Sequence, residues 1–196
     1  MNLEYFPGAA DQRTLILFHG TNGTTEEMID FGKRLSPKSP LLAVGTDHQT
    51  SMGTQYFAQT WTEQPDATEI ERALNELVAE LKSITIAHQT LAEAVGVGYS
   101  NGASFLLGGI YAQVLPFHRH LLFHPLPVPT SAAETLLTDR VWLSHGQREP
   151  HPTMAQFHMM VSSLWERKAD VTSLISGGSH MIAPAEVNAA VQWLSN

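Results

Sequence analysis

The chain has 196 residues, 43% of them apolar and 15% charged. That suits one compact α/β domain over 1–196 and excludes a disordered chain. Nineteen acids against eleven bases give a net charge of −8, which argues against nucleic acid as a partner. The absence of cysteine removes disulfides, cysteine-bound metals and a cysteine nucleophile. Met1–Ala10 has no basic-then-apolar leader, and no run approaches about 18 apolar residues. No membrane insertion is expected, and a cytoplasmic protein is. Ten histidines are many for this length.

In chain order, Thr14–Phe18 reads as a buried strand ending in His-Gly. Thr24 and Glu27 have capping-box spacing and open a helix to about Leu35, ended by Ser36, Pro37, Ser39 and Pro40. Leu41–Gly45 is the next strand, and Thr46–Gln64 a polar loop with room for a short helix. Asp66 and Glu69 repeat the box spacing before Ile70, Leu74, Leu77, Val78 and Leu81, an amphipathic helix. Ala94–Tyr99 is a strand, Asn101 to about Gln113 a small-residue helix, and His120–Phe123 a strand. An excursion follows at 126–139, with one helical turn expected at Ala132–Leu137. Val141–Ser144 is a strand, and Met154, Phe157, Val161, Leu164 and Trp165 mark a helix. Val171–Ile175 is the last strand, and Pro184 starts a helix carrying Val187, Val191 and Leu194. This alternation predicts a mostly parallel sheet with helices on both faces, and chemistry at the carboxyl ends of the strands.

All six predicted strand ends deliver polar residues, and His19, His48, His124, His145, His151 and His180 lie at or just past them. Gly98-Tyr99-Ser100-Asn101-Gly102 has the G-x-S-x-G pattern of a nucleophile elbow, between a buried strand and a helix as that geometry requires. The backbone N–H of Asn101 can then face an oxyanion, with a second arm from Thr21 or Asn22. His180 follows Gly177-Gly178 after the last strand and is the candidate base. Five acids lie between Ser100 and His180. Asp139 and Asp170 precede strands, and Glu166 ends a helix, so these three belong to the opposite edge. Glu149 follows a strand directly and is preferred, with Glu134 in the excursion as the alternative. Asn22, His48, Met52, His124 and Met181 are candidate pocket residues.

The segments FHGTNG, GYSNGA, FHPLPVP, HGQREP and GGSHMI together resemble the α/β-hydrolase superfamily, in the small carboxylesterase/phospholipase group that overlaps dienelactone-hydrolase-like proteins. The resemblance spans nearly the whole chain. It implies an α/β-hydrolase fold with a minimal core and no large cap. Its nucleophile falls on Ser100, its acid on Glu149, its base on His180, and its oxyanion donors on Thr21 and Asn101. The activity implied is cleavage of small or short-acyl esters by a serine esterase that needs no cofactor. A thioesterase or deacylase would carry the same triad. The chain departs from the pattern in having Glu for the usual Asp and Ser179 inserted before His180. Dienelactone hydrolases usually use a cysteine, which is absent. A histidine metal hydrolase is disfavoured, since no H-E-x-x-H spacing exists and His118-Arg119-His120 enters a strand at the far edge. A non-catalytic binding protein on the same fold is the second rival. A small-molecule ester is the expected partner, and an edge strand or outer helix leaves room for a homodimer.

Overall fold

A computed structural model describes residues 1–84, 90–130 and 136–196. In chain order the elements are β1 (Asn2–Phe6), β2 (Leu15–Phe18), α1 (Thr25–Leu35), β3 (Leu41–Gly45), β4 (Gln49–Thr50), β5 (Gly53–Thr54), α2 (Ala67–Ser83), β6 (Val95–Tyr99), α3 (Asn101–Ala112), β7 (Arg119–Phe123), β8 (Arg140–Gly146), α4 (Met154–Glu166), β9 (Asp170–Ser176) and α5 (Pro184–Leu194). One seven-stranded sheet has the order β1-β3-β2-β6-β7-β8-β9, and β4 and β5 form a separate pair. Every neighbouring pair in the large sheet is parallel except β1 with β3. Among the described residues no helix is long and apolar enough to cross a membrane.

Side-chain alternation along the strands builds two cores. In β2, Ile16 and Phe18 join residues of α2, α3 and α4, while Leu15 and Leu17 join residues of α1 and α5. A strand buried on both faces carries no polar alternation, which is why β2, β3 and β6 read as continuous apolar runs. Each fully buried leucine or phenylalanine contributes roughly 1.5–3 kcal/mol, so the two cores, not the exposed edge strands, hold the sheet.

The helix starts follow their caps. Thr24 and Glu27 form the expected reciprocal box, with Glu27 N–H to Thr24 Oγ1 at 3.2 Å and Thr24 N–H to Glu27 Oε2 at 3.1 Å. At α2 only half the expected box forms. Asp66 accepts from the Thr68 N–H at 2.9 Å, but Glu69 turns to the preceding loop. Its Oε1 takes the His48 Nε2–H at 2.8 Å and the Ala58 N–H at 2.9 Å. Two donors from that loop outcompete a single backbone N–H.

Three further differences are physical. The short helix expected within 46–64 is the β4–β5 pair, whose turn is held by the Thr50 hydroxyl donating to the Gly53 carbonyl. Strand β1 escapes the periodicity because it is an edge strand with no fully buried residue. Strand β8 runs on to Gly146, so His145 lies inside it. The turn expected at Ala132–Leu137 falls largely outside the described residues, as does Glu134 altogether.

The turn from β6 into α3 is the most constrained in the chain. Ser100 has φ 52° and ψ −117°, a conformation that costs a non-glycine residue on the order of 1–3 kcal/mol. Its N–H donates to the Phe123 carbonyl at 2.9 Å, and its carbonyl accepts from the Ser104 N–H at 2.9 Å. The flanking glycines are required by close approach. A Cβ on Gly98 would lie 2.6 Å from the Ala103 nitrogen, and one on Gly102 would lie 2.5 Å from the carbonyl oxygens of Phe18 and His19. These neighbours are backbone and cannot rotate away. Gly102→Ala is therefore expected to destabilise the fold by about 1–3 kcal/mol in urea denaturation. A wild-type midpoint would mean that α3 does not pack against β2 as described.

Candidate active site

The carboxyl ends of β6, β8 and β9 bring three residues of distant sequence together. His180 Nε2 is 2.9 Å from Ser100 Oγ, placed to accept its proton. The His180 Nδ1–H donates to Glu149 Oε1 in a short contact. Ser100 and Glu149 are buried, while the His180 side chain keeps 24% of its surface. The histidine is thus the most accessible member.

Each loop is fastened to the next. The Arg148 N–H donates to the Gly178 carbonyl at 2.9 Å, and the Gln147 N–H to the Ser176 carbonyl at 2.8 Å. These bonds join the loop bearing Glu149 to the loop bearing His180. Ser179, the inserted residue, places its carbonyl where a Cβ on Gly146 would be 2.2 Å away, so the turn after β8 needs glycine there. The Tyr99 hydroxyl donates to the His180 carbonyl at 3.0 Å. The Trp61 ring meets the His180 ring edge-on, with centroids 4.9 Å apart.

Beneath this row lies a second layer. The His124 Nδ1–H donates to Glu149 Oε2 at 2.8 Å, so the two carboxylate oxygens serve two different histidines. The other nitrogen of His124 sits 2.8 Å from Glu186 Oε2, an ion-pair contact too poorly aligned for a straight hydrogen bond. Glu186 also accepts from the Ser144 hydroxyl at 2.9 Å. Burial opposes charge on all three groups, but their mutual partners outweigh it. His124 rises to about 9, Glu149 falls to about 2, and Glu186 falls below the usual carboxylate range. His145 is different. Its ring stacks on Phe157 with centroids 4.9 Å apart, and burial lowers its pKa despite Glu149 Oε2 lying 3.2 Å away. His124 Nδ1 faces Glu149 Oε2 and His180 Nδ1 faces Oε1, so a metal at His124, Glu149 and His180, whose nearest donors lie within 4.8 Å, would have to displace these contacts.

The other flank comes from the first His-Gly turn and the 46–64 loop. Among the described residues no hydrogen bond engages the backbone N–H of Thr21 or Asn101, whereas that of Asn22 donates to the Thr54 carbonyl at 2.9 Å. The Asn101 side chain accepts from the Tyr56 N–H at 2.8 Å and donates to the Phe57 carbonyl at 3.2 Å, tying the loop over the elbow. Gln55 reinforces this by donating to Thr21 Oγ1 and to the Gln59 carbonyl, each at 2.9 Å. His19 is buried, donates through Nδ1 to the Gly20 carbonyl at 2.7 Å, and is held neutral by burial.

None of the candidate pocket residues lines the cleft beside His180. Asn22 braces the β4–β5 turn through the Met52 carbonyl and the Thr54 N–H. Met52 is exposed at that turn, His48 pairs with Glu69, and Met181 is 73% exposed. His124, expected as a pocket wall, has no exposed surface, because Glu149 and Glu186 draw it beneath the site. The cleft beside His180, about 500 Å³, is instead lined by Thr60, Trp61, Thr62, Pro150 and His151 along with Glu149 and His180. Trp61 and Glu186 were the residues that pattern reading missed. A lone tryptophan in a polar loop carries no periodicity, and a glutamate two residues after Pro184 reads as an ordinary helix-start acid.

The acid that was the alternative to Glu149 lies outside the described residues. The acids assigned to the opposite edge are found there. Asp139 accepts from the His120 Nε2–H at 2.9 Å, and Asp170 pairs with Arg140 at 3.2 Å.

The strand order is that of an α/β-hydrolase fold. No known protein-family profile matches the chain. A carboxylesterase of Bacillus cereus superposes with a TM-score of 0.91 at 20% identity, covering 100% of this chain and 93% of that one. The protein YahD, solved with malic acid, superposes at 0.90 and 21% identity, covering 99% and 98%. MhqD of Bacillus subtilis (strain 168), provisionally named a hydrolase, is 24% identical over 194 residues, 96% of this chain and 95% of its own. These likenesses establish the α/β-hydrolase fold over the full length.

The sign of the pH dependence follows from His124. Its raised pKa adds stability that is complete below its ordinary value of 6.5 and is lost as pH climbs toward about 9. The gap in melting temperature between wild type and His124→Gln is therefore expected to be widest below pH 6.5 and to narrow up to about pH 9. A gap independent of pH over that range would show that His124 is not charged in the fold.

Proposed function

We propose that the chain is a serine carboxylic ester hydrolase that forms an acyl-enzyme on Ser100. The observation that carries this reading is the row Ser100–His180–Glu149, with Ser100 in strained elbow geometry and His180 within 2.9 Å of its hydroxyl. The carboxylesterase from Bacillus cereus and the hydrolase name of MhqD support it.

Ser100 Oγ attacks the ester carbonyl while His180 Nε2 takes its proton. The oxygen that gains charge is held by the unpartnered N–H groups of Thr21 and Asn101. His180 then returns the proton to the departing alkoxide, which leaves as the alcohol. Water, deprotonated by His180, attacks the acyl-enzyme, and His180 passes that proton to Ser100 Oγ as the acid is released. Glu149 holds the imidazole with Nε2 toward Ser100 and stabilises its cation. No step calls on a cofactor. The cleft at Trp61, Pro150 and His151 opens directly beside His180 and suits a small, largely apolar group. An ester and a thioester of that size would both enter, and paired oxygen and sulfur substrates separate them.

With short-chain p-nitrophenyl esters, Ser100→Ala is expected to lower kcat at least about a thousandfold and Glu149→Gln at least about a hundredfold. Glu134→Ala is expected to keep wild-type turnover. Full activity in Ser100→Ala would overturn the mechanism, and a larger loss in Glu134→Ala than in Glu149→Gln would move the acid. Trp61→Ala is expected to raise KM several-fold with little change in kcat, since it removes cleft wall rather than a reacting group. An unchanged KM would place the substrate elsewhere.

A further inference from the structure

The reaction row does not end at Glu149. Below it lie His124 and Glu186, both without exposed surface and both unused by the proposed chemistry. Their burial is expensive, since a charge removed from water costs several kcal/mol unless partners replace the lost hydration. His124 also sits at φ 53°, in the left-handed region that few non-glycine residues adopt, and its N–H donates to the Ser144 carbonyl at 3.2 Å. This backbone conformation points an imidazole between two carboxylates.

We infer that His124 is a positioning residue for the proposed reaction, a buried cation held by Glu186 that turns Glu149 so that one oxygen faces His180. Three observations converge on this. Glu149 Oε2 receives His124 at 2.8 Å and the Gly146 N–H at 3.2 Å, which leaves Oε1 for His180. Glu186 meets the far nitrogen of His124 at 2.8 Å and is anchored in turn by Ser144. The usual reading of Glu186 as a helix-capping acid is weak, because its contact with the Ala183 N–H is 3.5 Å long.

The groups that face His124 come from five elements. Glu149 stands on the loop after β8, His145 on β8, Glu186 on α5, and His180 on the loop before α5, its ring centroid 5.4 Å away. Tyr99, on β6, meets it edge-on at 6.2 Å, and burial pushes that phenol up to about 12, so it stays neutral. Burial likewise keeps His145 neutral. The net effect at His180 is a carboxylate whose charge is partly offset from behind. Removing the offset makes the imidazolium form of His180 easier to reach, so the base is titrated away at higher pH.

The inference rests on the serine-hydrolase reading, and its test separates the two. Wild type, His124→Gln, Glu186→Gln and the double variant are labelled with a fluorophosphonate across pH, normalised to the folded fraction by circular dichroism. The protonation of His124 is followed in parallel by NMR of the histidine rings. The acidic limb of labelling is expected to move up by about one pH unit in His124→Gln. It moves less in the double variant, because the buried Glu186 charge leaves with its partner. NMR is expected to show a doubly protonated His124 at pH 7.5 in wild type and a neutral one in Glu186→Gln. Weaker labelling on an unmoved limb would overturn the inference and leave His124 as packing only. A neutral His124 in wild type at pH 7.5 would overturn it as well. If wild type itself takes no label, the serine mechanism fails and the positioning role falls with it, while the NMR state of His124 still shows whether a cation lies between the two carboxylates.

Discussion

The Glu149 carboxylate is taken almost wholly out of water, and a buried charge persists only where hydrogen bonds and opposite charge replace its hydration. Much of the molecule meets that requirement. The end of β8 supplies the Gly146 N–H, the loop after β7 supplies His124, and the loop before α5 supplies His180. The loops themselves are tied by backbone bonds from Gln147 and Arg148 to Ser176 and Gly178. Moving any one of these segments would strand the carboxylate. The same contacts that stabilise Glu149 therefore also set the position of His180 over Ser100.

The opposite flank depends on Asn101 in a comparable way. Its side chain holds the backbone of Tyr56 and Phe57, and Tyr56 packs flat on Phe105 of α3 with ring centroids 5.0 Å apart. Phe105 reaches the core that α3 shares with the sheet. A loop that is polar in sequence is thereby anchored to the hydrophobic interior, and Trp61 is carried on it to the edge of the His180 ring. Asn101 thus has two separable parts. Its side chain builds the loop, and its main-chain N–H has no hydrogen-bond partner among the described residues.

Much of the sheet was legible because burial on both faces writes itself as apolar runs, as in Leu15–Phe18 and Leu41–Gly45. The elbow was legible because two glycines are required by backbone contacts at 2.5–2.6 Å, a constraint that leaves a fixed spacing. Glu149 could be singled out by topology, since an acid just past a strand lies at the edge where the parallel strands end. What stayed hidden has a common cause. Strand β1 is recognised only through its partner β3, the β4–β5 pair through side-chain bonds to Asn22 and Thr50, and Glu186 through the neighbour it meets 62 positions earlier. Contacts between segments far apart in the chain leave no local periodicity to read.

Two of the ten histidines, His124 and His180, have a corresponding explanation in charge. On the proposed mechanism, Glu149 and Glu186 each carry one negative charge, and His124 one positive. With His180 neutral, the buried group bears a net charge of −1. When His180 takes the serine proton, the total becomes zero. The cluster is thus least well compensated before reaction and neutral as the oxyanion forms, which is the sense in which an environment must favour the transition state to speed a reaction. A triad without the lower pair would pass through the same −1 and zero, but nothing beneath Glu149 would orient it. A triad with His124 but no Glu186 would start at zero and charge to +1. The second carboxylate is what allows a cation to be used to orient the first. Glutamate in place of aspartate fits the same account, because its longer arm can present one oxygen upward to His180 and the other downward to His124.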